Sequence, residues 1–419
     1  MRALTIGLAA VLLTGVAVAP PAAAKGPKAV EDVVRFVDPL IGSANGGNTY
    51  PGAVRPFGMI SWSPTSTRGD QTNTGAANGY AYDATRVRGF GLTHVNGAGC
   101  HPGAAGDVPI MPFVGDVTSS PTADVRDEVY ASDFRHEDES ATPGRYRVAL
   151  ASGASADLAV TTRAGIGDFA FPKGAKGSLL FRVSNSLNGS EDAEVTIDPA
   201  ARTVSGSVLT GAFCGRRANG GANNKKTYYR LYFTASFDRA FAANGTWVDG
   251  ALNAGATSAH GGEGYETGAA RAGRGSGGDV TFDTASDDDV RVRVGISYTS
   301  ADAAKRNLAK EIGAGDDVDS VAADAGGSGR GSCATSRSPA VPTTSSRPST
   351  PPCTTPSCSP TCPATSTAPT SAATGWCTAS NAGSGRSTAT SPAGTSTART
   401  PSCWRCSNPA SRATTPSPC

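Results

Sequence analysis

Beyond Gly326 the chain stops supplying the residues from which a core is made. Residues 327–419 contain no Leu, Ile, Met, Phe, Tyr, Asp, Glu, Lys or His. Only Ser, Thr, Pro, Ala, Gly, Arg and Cys are left, with Val341, Trp376, Trp404 and a few Asn. Such a stretch cannot bury enough apolar surface to offset its backbone entropy, so 326–419 is expected to be a disordered tail and any fold must come from what precedes it. Eight cysteines crowd between Cys333 and Cys419. A secreted disulfide framework is the default reading of such a group, and a mucin-type stalk is the reading of its Ser/Thr/Pro background; each fits one half of the composition and not the other.

The start of the chain sets the compartment. Met1-Arg2 is followed by an apolar run from Ala3 to Val18 and then by Pro20-Pro-Ala-Ala-Ala24. That pattern is a secretory signal peptide, 1–24, with cleavage expected after Ala24. The run is short for a membrane span, and no other segment approaches ~20 consecutive apolar residues, so a secreted protein is expected. A formal net charge of +2 supplies no basic field for nucleic acid.

Between the two ends, the chain reads as short strands broken by polar, Gly-rich turns. Tyr146 to Leu150, Ala156 to Thr162, Ser178 to Val183, Thr203 to Leu209, Tyr228 to Phe237 and Val290 to Tyr298 come in sequence. In the last of these, Val290, Val292, Val294, Ile296 and Tyr298 alternate with Arg291, Arg293, Gly295 and Ser297, giving one apolar and one wet face. The expected fold is mainly β, an antiparallel β-sandwich over 25–299. Ser300 is an N-cap for a helix from Ala301 to Ile312 that stops at Gly313, and Asp316 to Ala325 looks like the start of a second, so 300–325 is expected to be a helical linker.

Chemistry concentrates in Arg88 to Phe113, which holds His94, Asn96, Cys100, His101 and Asp107 in a chain with four histidines. As zinc ligands these residues fit none of the paired spacings of such sites, and adjacent Cys100-His101 is awkward for one tetrahedral ion. A Cys100–His dyad would need a base across space, which sequence does not supply. Cys100 as a buried thiol, or paired with Cys214, stays open. A glycine-studded loop rich in His, Asn and Asp is also the usual composition of a polar binding wall. The acidic runs His136-Glu-Asp-Glu139 and Asp287-Asp-Asp289 read as solvated charge next to strand ends.

Several motifs in order resemble glycoside hydrolase family 92, the α-mannosidases: Val37 to Met59, Asn78-Gly-Tyr-Ala-Tyr82, Gly89 to Gly99, Gly106 to Gly115, Gly211 to Gly215 and Tyr229 to Phe241. The resemblance spans roughly residues 35 to 325. It implies an N-terminal β-sandwich joined to an (α/α)6 toroid, and Ca²⁺-dependent, inverting release of mannose from mannose-containing glycans. It places the acid and base carboxylates in the toroid, so no catalytic residue is assigned here. It also makes the loop of His94, Asn96, Cys100, His101 and Asp107 a wall of the sugar pocket, with Asp70, Tyr80 and Tyr82 in the same wall. One departure is that Gly69 to Asn78 has no aromatic residue where many members resemble a Gly-Trp-Asp pattern, which leaves linkage preference open.

The resemblance also implies helices where this chain turns to Ser/Thr/Pro. A family-type segment Phe-Tyr-Thr-Ala-Leu-Tyr-His, given GC-rich codons and read one base late, becomes Ser-Thr-Pro-Pro-Cys-Thr-Thr, the sequence of Ser349 to Thr355. The same operation on two further family-type segments reproduces Cys362 to Thr370 and Ser391 to Arg399. The tail is therefore expected to be the out-of-frame start of the toroid. A lectin-like sandwich carrying a low-complexity stalk is the alternative.

Overall fold

The computed structural model describes residues 32–44, 47–66, 78–95, 105–122, 129–187, 189–211, 228–263 and 274–334. The expected signal peptide and the tail from 335 onward lie outside the described residues.

Among the described residues, seventeen strands follow in chain order. They are β1 (Ala53–Val54), β2 (Ser61–Ser66), β3 (Arg86–Gly91), β4 (Ile110–Val114), β5 (Ser132–Thr142), β6 (Arg145–Leu150), β7 (Ser155–Val160), β8 (Ala164–Ala170) and β9 (Lys176–Phe181). Then come β10 (Asp192–Asp198), β11 (Thr203–Gly211), β12 (Tyr228–Phe237), β13 (Ala243–Val248), β14 (Ala251–Ala254), β15 (Ser258–His260), β16 (Ser276–Asp283) and β17 (Asp289–Ser297). All their pairings are antiparallel. One sheet runs β15-β10-β11-β12-β17-β8-β7-β6-β5. The other runs β14-β13-β16-β9-β4-β3-β2-β1. β5 joins both: its start pairs with β3, and from Phe134 onward it pairs with β6, with a register break between Phe134 and Glu139.

The fold is the expected antiparallel sandwich, and its core lies between the sheets. Val290, Val292, Val294 and Ile296 of β17 are all fully buried on one face, as their alternation requires. Large side chains meet from opposite layers: Trp62 and Phe169 at 6.1 Å, Phe90 and Tyr146 at 6.2 Å, Phe181 and Phe233 at 6.0 Å and Phe237 and Phe282 at 5.7 Å between ring centroids. Aromatic pairs at these separations add directional packing to their large buried area.

Two helices follow the last strand. α1 (Ala301–Glu311) begins at Ser300, whose hydroxyl accepts from the Ala303 amide at 3.1 Å. It packs closely over β17 because Gly295 has no side chain; a Cβ there would lie 2.3 Å from the Ala304 carbonyl oxygen. α2 (Val318–Ala334) runs nine residues past the expected end at 325. Its first turns are fixed to the sandwich by buried Val318, Val321 and Ala325 and by ion pairs Arg145–Asp319 and Arg55–Asp324. A helix docked in this way propagates through residues of low intrinsic propensity, and so enters the altered composition instead of stopping before it.

Candidate functional site

The loop Arg182 to Glu191 organises one end of the sandwich. The Leu187 amide donates to the Ala105 carbonyl at 2.9 Å, and its side chain fills the space left by Gly79 and Gly106. Asn185 Nδ2 donates to Glu263 at 3.0 Å, Thr210 donates to the Gly189 carbonyl at 2.5 Å and Tyr228 donates to Glu191 at 3.1 Å. Residues bordering segments 67–77, 96–104, 212–227 and 264–273 therefore all converge on this loop.

Asp107, expected in the binding wall, is fully buried at the centre of this arrangement. Its carboxylate accepts from Thr93 at 2.6 Å, Ser186 at 2.5 Å and Tyr229 at 2.8 Å. Burial pushes its carboxyl above the ordinary 3.8, while the three hydroxyls pull the other way. His94 is also buried, with Nδ1 3.0 Å from the Ser61 carbonyl, Nε2 3.5 Å from the Thr65 hydroxyl and its ring 5.0 Å from that of Tyr50. A carbonyl opposite Nδ1 fixes that nitrogen as the donor. Burial lowers the imidazole to about 4, so it is a neutral structural group at ordinary pH. His94 and Asp107 hold the wall from behind; neither presents its side chain at the surface.

Tyr80 and Tyr82 sit in a second cluster, around a residue the sequence assigned to solvent. Glu139 is buried: it accepts from Tyr80 at 3.0 Å and from Tyr146 at 2.7 Å, and it lies 2.8 Å from His136 Nδ1. Burial beside this carboxylate raises both phenols, which stay as O–H donors. His136 Nε2 meets the Tyr82 carbonyl at 2.7 Å, and the His136 and Tyr82 rings stack at 3.8 Å and 4°. The reading of 136–139 as one solvated run is thus corrected. It fits Glu137 and Asp138, which pair with Arg135, while the register break in β5 turns Glu139 inward. Tyr80 is buried; Tyr82 is 37% exposed.

Asp70, Asn96, Cys100 and His101 lie outside the described residues, as does Cys214. Three contributors were missed in the sequence. Ser186 and Asn185 belong to a Ser/Asn/Gly loop that looks like any turn. Asn78 is buried, its Oδ1 accepting from the Tyr80 amide at 2.9 Å, and its Nδ2 has no partner among the described residues.

The Ca²⁺ expected from the resemblance finds no suitable set here. Among the described residues, one group of three clustered metal-ligand side chains occurs, Asp287, Asp288 and Asp289. It is largely exposed, and Asp287 is already paired with Arg239. Exposed acidic clusters of this kind are common without an ion, and nothing further marks this one as a calcium site. No helix among the described residues is long and apolar enough to cross a membrane.

Fold and loop cluster together define the class: an antiparallel β-sandwich with a polar wall assembled on loops at one end. The chain belongs to glycosyl hydrolase family 92; the model of the family's N-terminal domain matches residues 36–297. It is 26% identical over 306 residues to an uncharacterised secreted glycosidase of Arthroderma benhamiae, covering 70% of this chain and 37% of that protein. A family 92 α-mannosidase of Bacteroides thetaiotaomicron superimposes with a TM-score of 0.58 at 25% identity, over 73% of this chain and 38% of its own. That enzyme has also been solved in complex with mannoimidazole. Another family 92 glycosyl hydrolase aligns with a TM-score of 0.59 at 25% identity, over 72% and 37% of the two chains. The chain therefore spans well under half the length of these relatives.

Proposed function

We propose that this chain is the sugar-binding sandwich of a secreted exo-α-mannosidase acting by inversion on α-mannosidic linkages of glycoprotein N-glycans or mannans, and that the 419-residue product binds mannose-containing glycans without cleaving them. The observation that carries the reading is the convergence of the residues bordering segments 67–77, 96–104, 212–227 and 264–273 on Arg182 to Glu191, within a domain matched by the family model. In this reading Tyr82 and the segments bearing Asp70, Asn96, Cys100 and His101 face the sugar, while His94, Tyr80 and Asp107 keep their backbones in place.

Inverting hydrolysis needs an acid and a base roughly 6.5–9.5 Å apart with a water between them. Asp107 and Glu139, the buried carboxylates of the two clusters, each accept from three donors, which supports locating the catalytic pair elsewhere. Ca²⁺, on the same reading, is held by residues outside the described ones. The codon argument supports a one-base shift between about residues 320 and 333 as the origin of the tail. Sequencing the locus tests that part, and absence of a family-type frame beside the tail overturns it.

The functional test is mannose release from an α-mannobioside, together with calorimetric binding of methyl α-mannoside, by the 419-residue chain. Binding without turnover is expected. Turnover overturns the assignment of catalysis to a missing half, and no binding overturns the sugar-wall reading.

A further inference from the structure

His136 is held at both ring nitrogens and on its face. Nε2 lies 2.7 Å from the Tyr82 carbonyl and Nδ1 lies 2.8 Å from the Glu139 carboxylate. The ring also lies flat on the Tyr82 phenol at 3.8 Å. Phe134 meets its edge at 5.4 Å. Tyr80 and Tyr146 reach it only through Glu139, and the charges of Glu137 and Asp138 are engaged by Arg135.

Of the large apolar side chains exposed among the described residues, two are aromatic, Phe57 and Tyr82. Tyr82 is the one tied to the wall, through its neighbour Tyr80 and through its own amide, which donates to the Ser43 carbonyl at 3.0 Å. Segment Gly69 to Asn78, which leads into it, contains no aromatic residue.

We propose that His136, hydrogen-bonded to Glu139 and stacked on Tyr82, is the positioning residue that fixes Tyr82 as the aromatic platform on which a neutral hexopyranose ring packs. This rests on the mannoside-binding reading above. Tyr82 offers the flat apolar surface that complements the C–H face of a pyranose, and the stack and the carbonyl hydrogen bond together remove the ring's freedom before sugar arrives.

The test is a double-mutant cycle on the full chain with methyl α-mannoside as the probe, alongside ¹³C relaxation of the Tyr82 ring. Tyr82→Ala and His136→Asn should each weaken binding about five- to tenfold. The double variant should be no weaker than Tyr82→Ala, because both changes act on one ring. Additive losses overturn the proposal, since His136 would then act independently of Tyr82. In the wild type the Tyr82 ring should be ordered before sugar is added, and in His136→Asn it should gain mobility; equal ring mobility in the two overturns the proposal. If the wild type binds no mannoside, the sugar-wall reading falls, and the mobility of the Tyr82 ring in His136→Asn decides the clamp alone.

Discussion

Asp279→Asn should stabilise the sandwich, and only above a defined pH. Asp279 sits in β16 opposite Leu180 of β9 and Gly245 of β13, where a Cβ on Gly245 would come within 2.9 Å of its Oδ1. It is buried, and no hydrogen bond reaches its carboxylate among the described residues. The one cation acting on it, Lys176, is paired with Asp116 at 2.6 Å. Burial therefore dominates and pushes the carboxyl from 3.8 up to about 6. The folded state then holds a proton that the unfolded chain has released, so stability falls as pH rises from about 4 to about 6 and stays lower above. Two pH units at ~1.4 kcal/mol each give a cost of about 3 kcal/mol at neutral pH. An amide of the same shape escapes that cost. Urea melts should place Asp279→Asn about 2–3 kcal/mol above wild type at pH 7.5, with the gap closing towards pH 4. His94 acts in the opposite direction: with its imidazole lowered to about 4, its contribution is present above about 6.5 and lost on acidification. That contribution is common to both chains and cancels in the difference. A gap that does not change with pH, or a variant weaker than wild type at pH 7.5, refutes a charged and desolvated Asp279.

Three further outcomes follow from the packing. Tyr229→Phe removes one of three donors to Asp107 and should cost about 1–2 kcal/mol in urea melts, whereas Asp107→Ala strands three hydroxyls and should cost about 3 kcal/mol or more. Trp62→Ala opens the centre of the sandwich beside Phe169, with an expected loss of about 3–5 kcal/mol at an unchanged denaturant slope. Gly144 has φ +90° and would place a Cβ 2.5 Å from that of Ala325; Gly144→Val should loosen α2, read as faster amide exchange across Val318 to Ala325 with the β12–β17 amides unaffected.

Legibility in the sequence tracked how strictly one face of a segment is apolar. β6, β7, β9, β11, β12 and β17 were readable within a few residues because one side of each packs into the core, and α1 was readable from its Ser300 cap. β5, β8 and β16 were not. Ser132–Thr142 carries charges on both sides of a register break, and Ala164–Ala170 and Ser276–Asp283 use glycines where the opposing sheet or a neighbouring Trp comes close. At the site, the concentration of His94 and Asp107 was visible but their inward orientation was not. For Asp107 the orientation depends on partners 79 residues away at Ser186 and 122 away at Tyr229, and for Glu139 on a local register break; neither leaves a periodic mark.

The same orientation bears on what this sandwich can do. General acid–base work needs a group that can exchange a proton with a ligand, hence one with an unfilled hydrogen-bonding position facing the site. Asp107 has its three hydroxyls, Glu139 its two phenols and an imidazole, and His94 a carbonyl and a hydroxyl, all from within the sandwich. Each network holds backbone in place and is satisfied without a ligand. Buried polar groups arranged in this way rigidify a wall, and opening them to donate to a substrate would cost the hydrogen bonds that define it. Tyr82 is the exception in these two clusters: it is partly exposed, with one face stacked on His136.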